Sequence, residues 1–227
     1  MGTGAILRAI TELRFENTFN PYVDRCPVHD LESAPAMRRD YLSVMLDRAV
    51  VSDIDAIWVG RDLGYRGGRR TGLALTDDVH YADHLSRWDL SVQRPTIGEP
   101  VAERTATVIW DILSRLDVPI FMWNVFPLHP HDPGDPFTNR AHNARERRAG
   151  VDILMAIIKV LQPRRIVALG NDAFTALADT FGPDRLHKAR HPSYGGQTEF
   201  LATMKSMYAS EMRPDRLDLF SHANCAS

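Results

Sequence analysis

Apolar residues recur along the chain in two rhythms: short unbroken runs, and longer stretches spaced by three and four. The short runs predict strands at 54–59, closing on Gly60; at 118–123, closing on Asn124; at 165–169, closing on Gly170 and Asn171; and a brief one near 185–190, leading into His191. The helical rhythm predicts helices over 37–50, 101–116, 145–161, 172–180 and 198–209. The clearest of these is 145–161, where Val151, Ile153, Leu154, Ile157, Ile158 and Leu161 form one apolar face. Thr76-Asp77-Asp78 has the chemistry of a helix start. The segment 60–76 is rich in glycine and arginine and reads as a loop, and four prolines within 127–139 make that stretch irregular. The tail beyond 214 is expected to be flexible.

Strands that alternate with long helices imply a parallel sheet covered on both faces. The expected architecture is therefore α/β, a three-layer αβα sandwich around a mainly parallel sheet of four strands. One domain spanning 1–227 is expected, with its core at about 37–210. In such sheets a ligand lies beyond the carboxyl ends of the strands. Gly60-Arg61-Asp62, Asn124, Asn171 and His191 each follow a predicted strand, so four polar loop starts should gather at one edge.

Composition narrows the reading. The 227 residues are 44% apolar and 25% charged, enough for an ordinary core. No run of about 18 apolar residues predicts a membrane span, and the first residues lack a signal-peptide pattern. Two cysteines, Cys26 and Cys225, supply neither a thiolate metal site nor a disulfide framework. A cytoplasmic, reduced, monomeric protein without cofactor or metal is expected. The formal net charge of −2 does not itself suggest nucleic acid. The cations are clustered, however: Arg61, Arg66, Arg69 and Arg70 in one loop; Arg140, Arg145, Arg147 and Arg148 in a second group; Arg185, Lys188 and Arg190 in a third. A basic face on a near-neutral protein is one reading, and separate solvated surfaces are the other.

The loop from Gly60 runs Gly-Arg-Asp-Leu-Gly-Tyr-Arg and continues to Gly72-Leu73-Ala74-Leu75-Thr76. It fits neither a dinucleotide-binding fingerprint nor a phosphate-binding Walker loop. Alone it reads as a surface loop with a helix-capping Asp, and a lone His191-Pro192-Ser193 reads as a loop with a satisfied histidine. Together they resemble the two active-site motifs of uracil-DNA glycosylases. The best-known branch has Gly-Gln-Asp-Pro-Tyr-His followed by Gly-Leu-Ala-Phe-Ser; this chain keeps the Gly, the Asp and the Gly-Leu-Ala at the same spacing. The second motif begins His-Pro-Ser. Between them, Trp123-Asn124-Val125 resembles the strand-end Asn-Val of the thermostable branch.

The resemblance implies a monofunctional uracil-DNA glycosylase of base excision repair, which hydrolyses the N-glycosidic bond of uracil flipped out of DNA and leaves an abasic site. Asp62 would orient the attacking water, and His191 would donate to the departing base as negative charge develops. Asn124 would pair with the uracil edge and reject cytosine. Gly60, Arg61, Leu63, Gly64, Tyr65 and Leu75 would line the base pocket. Arg66, Arg69, Arg70, Ser193, Tyr194 and Gln197 would hold the DNA, which carries uracil or an abasic site. The chain departs from the pattern at four positions. Leu63 replaces a proline, Gly64 a tyrosine that blocks thymine, Leu75 a stacking phenylalanine, and Gly195 a leucine that wedges the duplex. These departures keep two alternatives open: a glycosylase for another deaminated base, such as hypoxanthine or mismatched uracil, and a non-catalytic binder of uracil or abasic DNA. A small-nucleotide hydrolase, or a metal-dependent enzyme using His129, His131 and Asp132, is a third class.

Overall fold

The computed structural model describes residues 2–193 and 195–213. In chain order its elements are α1 (Thr3–Glu12), β1 (Thr18–Phe19), α2 (Ala34–Val50), β2 (Ala56–Gly60), α3 (Gly68–Thr71), α4 (Tyr81–Ser86), α5 (Arg104–Leu113), β3 (Ile120–Asn124), β4 (His129–Pro130), α6 (Ala144–Leu161), β5 (Arg165–Leu169), α7 (Asn171–Leu177), β6 (Leu186–Ala189) and α8 (Gln197–Met207).

Four strands form one parallel sheet in the order β3-β2-β5-β6. Every residue of β2 and β3 is buried, as expected for a parallel sheet covered on both faces. Their side chains alternate between two cores. Ile57, Val59, Phe121, Trp123, Ile166 and Ala168 face the cluster built with α1, α2 and α6. Ala56, Trp58, Ile120, Met122, Val167 and Leu169 face the cluster built with α5 and α8. On that second side the Trp58 indole donates to the Tyr208 hydroxyl at 2.8 Å, which satisfies two buried polar groups at once. The three-layer sandwich follows from this alternation.

The expected strands and the five expected helices are present, and the boundaries shift for identifiable reasons. Helix α5 begins at Arg104, not 101, because the Glu103 side chain caps it, accepting from Thr105 N and Ala106 N at 3.1 Å each. The start expected at 76–78 falls later, at Tyr81. Asp77 closes the preceding turn, accepting from His80 N at 2.9 Å and from Glu103 N at 2.6 Å. The sequence pattern gave no expectation for α1, whose Ile6 and Ile10 enter the core, or for the two-stranded sheet of β1 with β4. The tail beyond 214 and Tyr194 lie outside the described residues.

Candidate active site

The chain leaves β2 toward β3 on one side and later builds β5 and β6 on the other. The strand order therefore reverses between β2 and β5, where ligands bind in open α/β sheets. A cleft of about 510 Å³ opens there, lined by Arg61 to Gly64 after β2, by Leu169 to Asp172 after β5, and by His191 and Ser193 after β6. Leu75, Glu103, Asn139 and Arg140 complete its wall.

The loop after β2 is anchored by continuing the β-ladder. Val125 N donates to Gly60 O at 2.9 Å, Phe126 N to Arg61 O at 3.0 Å, and Leu63 N to Leu128 O at 3.2 Å. This fixes Asp62, whose side chain is only 5% exposed. Arg61 Nε donates to Asp62 Oδ2 at 2.6 Å, and His142 Nδ1 sits in close hydrogen-bonding contact with Oδ1. Burial opposes the charge on Arg61, but Asp62 and then Asp172, 3.4 Å away, raise its pKa above the ordinary value. Asp62 is thus held from both sides by donors.

His142 carries no motif, and sequence reasoning missed it. Its place is set by the start of α6. Asn143 accepts from Arg145 N and Glu146 N, while Glu146 accepts from Asn143 N, a reciprocal capping box. Arg140 grips the same Glu146 carboxylate at 2.7 and 2.8 Å. Glu146 is buried, which favours its neutral form, but the Arg140 and Asn143 hydrogen bonds win and its pKa lies below the ordinary value. A capping signature just after a histidine was the one legible hint.

His191 stands on the opposite side of the cleft. The backbone N–H of Ser193 points at His191 Nδ1 from 3.3 Å, and the Ser193 hydroxyl lies 2.7 Å from the same atom. A backbone N–H only donates, so Nδ1 is the acceptor and the proton of the neutral ring sits on Nε2. Burial, and then the nearby Arg61 charge, lower the His191 pKa, with Asp172 opposing. The neutral donor form is therefore favoured at pH 7.

The other expected residues divide. Leu63, Gly64 and Leu75 line the cleft with Arg61. Leu75 holds the left-handed φ of +57°, a strained conformation for a leucine. Asn171, one of the polar loop starts, is also in the wall. Asn124, at the end of β3, lies one strand away from the reversal point and is only 2% exposed. Its side chain packs behind Gly60 and Leu75; a Cβ at position 60 would sit 2.5 Å from Asn124 Oδ1 and 2.9 Å from Leu75 Cδ2. Any larger residue there would have to push both side-chain ends aside. Neither Nδ2 nor Oδ1 of Asn124 has a hydrogen-bond partner among the described residues.

Two expected strand contacts are corrected. Arg69 and Arg70 are 3% and 8% exposed and point inward. Arg69 stacks over Phe19 at 3.8 Å and lies 3.1 Å from His129 Nδ1, and Arg70 Nε donates to Asp78 at 2.6 Å. They organise the interior of the loop and are not free to meet phosphate. Arg66 and Gln197 remain exposed, and Arg66 lies over the Tyr65 ring at 5.6 Å. Ser193 is committed to His191. Tyr194 is outside the described residues, and its neighbour Gly195 has φ +79° with open space around it. His129 does not serve as a metal ligand, because both ring nitrogens already face protein groups: Arg69 at Nδ1, and Thr138 O and Asn139 Oδ1 at Nε2.

A parallel α/β sandwich with a buried carboxylate and an imidazole both lining the switch-point cleft sets the frame for comparison with known proteins. Residues 57–221 match the family model described as the uracil DNA glycosylase superfamily. The chain belongs to that superfamily, whose members are DNA glycosylases. Its fold is similar to the crystal structure of wild-type SMUG2 from Pedobacter heparinus, with a TM-score of 0.58 at 12% identity, covering 92% of this chain and 97% of that one. No curated protein sequence matches the chain. Among the described residues no helix is long and apolar enough to cross a membrane.

Proposed function

We propose that the protein hydrolyses the N-glycosidic bond of a deaminated base, uracil first among them, flipped out of DNA into the cleft between β2 and β5. The observation that carries this reading is the pairing of Asp62, clamped by Arg61 and His142, with His191, whose Nε2 holds the ring proton. The reaction needs a group to receive a water proton beside the sugar and a donor at the departing base. The water oxygen bonds to the sugar C1′, and the glycosidic electron pair leaves with the base. One water proton passes to the Asp62 carboxylate and on to solvent. His191 Nε2–H stabilises the anionic base, which takes a proton from solvent after release. Asn124 offers an unused donor and an unused acceptor beside Leu75, the pair needed to meet a uracil edge.

DNA would be held by exposed cations close in sequence to the cleft residues, Arg66 in the loop after β2 and Arg190 beside His191. Gly195 stands where the family resemblance puts a wedge residue, so the choice is between Tyr194 or the exposed Gln197 in that role and a preference for single strands.

Incubation with a single-stranded oligonucleotide containing one uracil should release free uracil and leave an alkali-labile site. Asp62→Asn should lower the rate by about 10²- to 10⁴-fold, the usual worth of a positioned acid–base group. His191→Ala should lower it by about 10²- to 10³-fold, as for an oxyanion donor. Retention of full activity in Asp62→Asn would overturn the assignment. Tight binding without turnover in the wild type would point to the non-catalytic binder.

A further inference from the structure

The cleft wall next to Gly64 carries an amide whose orientation is forced by its neighbours. Asn139 Oδ1 lies 2.9 Å from the backbone N–H of Tyr65 and 3.2 Å from His129 Nε2. The tautomer of His129 is settled from two sides. Its Nδ1 faces the Arg69 guanidinium at 3.1 Å, and arginine only donates, so Nδ1 is an acceptor. Its Nε2 faces the Thr138 carbonyl at 2.8 Å, and a carbonyl only accepts, so Nε2 carries the proton. Burial, with the Arg69 charge, pushes the His129 pKa down to about 3, which keeps the ring neutral. Arg69 is itself pinned, its guanidinium over Phe19 at 3.8 Å and near Phe137 at 5.4 Å.

Both neighbours of the Asn139 carboxamide are therefore donors. Turned the other way, the amide would set its NH₂ against two N–H groups. Oδ1 is committed inward, and the free end at the cleft wall is the NH₂. Gly64 adds no side chain beside the carboxamide; a Cβ there would lie 4.0 Å from Asn139 Oδ1.

We propose that Asn139 is a specificity-determining residue whose fixed amide NH₂ donates to the exocyclic keto oxygen of the extruded base, the atom that replaces an amino group when a base is deaminated. Cytosine and adenine present an NH₂ at that point and would oppose it donor to donor, whereas uracil and hypoxanthine present an acceptor. This rests on the glycosylase reading of the cleft, and it adds a second amide to Asn124, on the Gly64 side of the pocket.

The test compares kcat/KM for two single-stranded substrates, one with uracil and one with 2-pyrimidinone, which lacks the 4-oxygen. Each is assayed with wild type, Asn139→Ala and Asn139→Asp. Asn139 is exposed, so all three should fold, and thermal unfolding checks this. Asn139→Ala should lose about tenfold on uracil and less than about twofold on 2-pyrimidinone, the loss of one neutral hydrogen bond. Asn139→Asp keeps the acceptor toward Tyr65 and His129 but sets a carboxylate against the keto oxygen, so its loss on uracil should exceed that of Asn139→Ala. Equal losses on both substrates would assign Asn139 to loop structure or the DNA backbone, and no loss on either would assign base reading to other groups; each overturns the inference alone. No excision of either base by the wild type would overturn the function and this inference with it.

Discussion

At the scale of single residues, the site depends on which atom of a side chain is held and which is left free. His191 shows this directly. Ser193 fixes Nδ1 as an acceptor, so the neutral ring carries its proton on Nε2, the form the proposed reaction requires. Burial, and then the Arg61 charge, lower the His191 pKa from its ordinary value, so the neutral form is the one favoured at pH 7. We expect kcat with uracil DNA to show no His191-dependent step between pH 6.5 and 8. A titration in that window that vanishes in His191→Gln would contradict the assignment. Arg69 and Arg70 teach the converse. A run of arginines in a glycine-rich loop reads as a phosphate-binding surface, yet residue type carries no information about side-chain direction. One guanidinium is drawn inward between aromatic rings and the other by Asp78. The Asp62 and His191 motifs were legible because their spacing survives in sequence; His142 and Asn139 were not, because their partners are 80 and 74 residues away.

At the scale of elements, the start of α6 is the joint between stability and the site. The capping box of Asn143 with Glu146 fixes the first turn, and His142, one residue earlier, is thereby presented to Asp62. Asn143→Ala should lower folding stability by about 1 kcal/mol, the usual worth of an N-cap. It should also reduce kcat more than KM, because His142 loses the turn that aims it. Asn143→Asp, which keeps the cap, should restore both in thermal unfolding and in steady-state assays. A stability loss with unchanged kcat would show that His142 is aimed by something else, such as its contact with Phe126. The same helix explains why Gly150 interrupts a strong helical pattern. A Cβ there would collide with the Val125 carbonyl, so the glycine lets α6 lie close against the chain that leaves β3.

At the scale of the whole molecule, burial of histidines couples the fold to pH. Burial lowers the pKa of His84 and His129 to about 3 and that of His29 to about 4. The unfolded chain binds protons at these rings from about pH 6.5 downward while the folded chain does not, so stability is full above pH 6.5 and falls as pH drops toward 4. Each ring contributes up to about 1.4 kcal/mol per pH unit in that window. Denaturant unfolding between pH 7 and 5 should show this slope, and, because His191 is lowered in the same direction, His84→Gln should reduce it by about a quarter to a third. An unchanged slope in that variant would mean His84 is protonated when folded.

The chain by itself determined the strand and helix rhythm, hence the parallel sandwich, and the two motifs that mark Asp62 and His191. Those are local facts: the period of apolar residues sets the element, and the alternation of strands with helices sets a parallel sheet. Only the tertiary structure decided where the order of strands reverses. That placed the cleft between β2 and β5, left Asn124 on the neighbouring strand beside Gly60, and brought His142 and Asn139 from a distant loop into contact with the Gly60–Tyr65 segment. Hydrogen-bond partners far apart in sequence leave no period or spacing to read, because the folded backbone alone fixes their distance and direction.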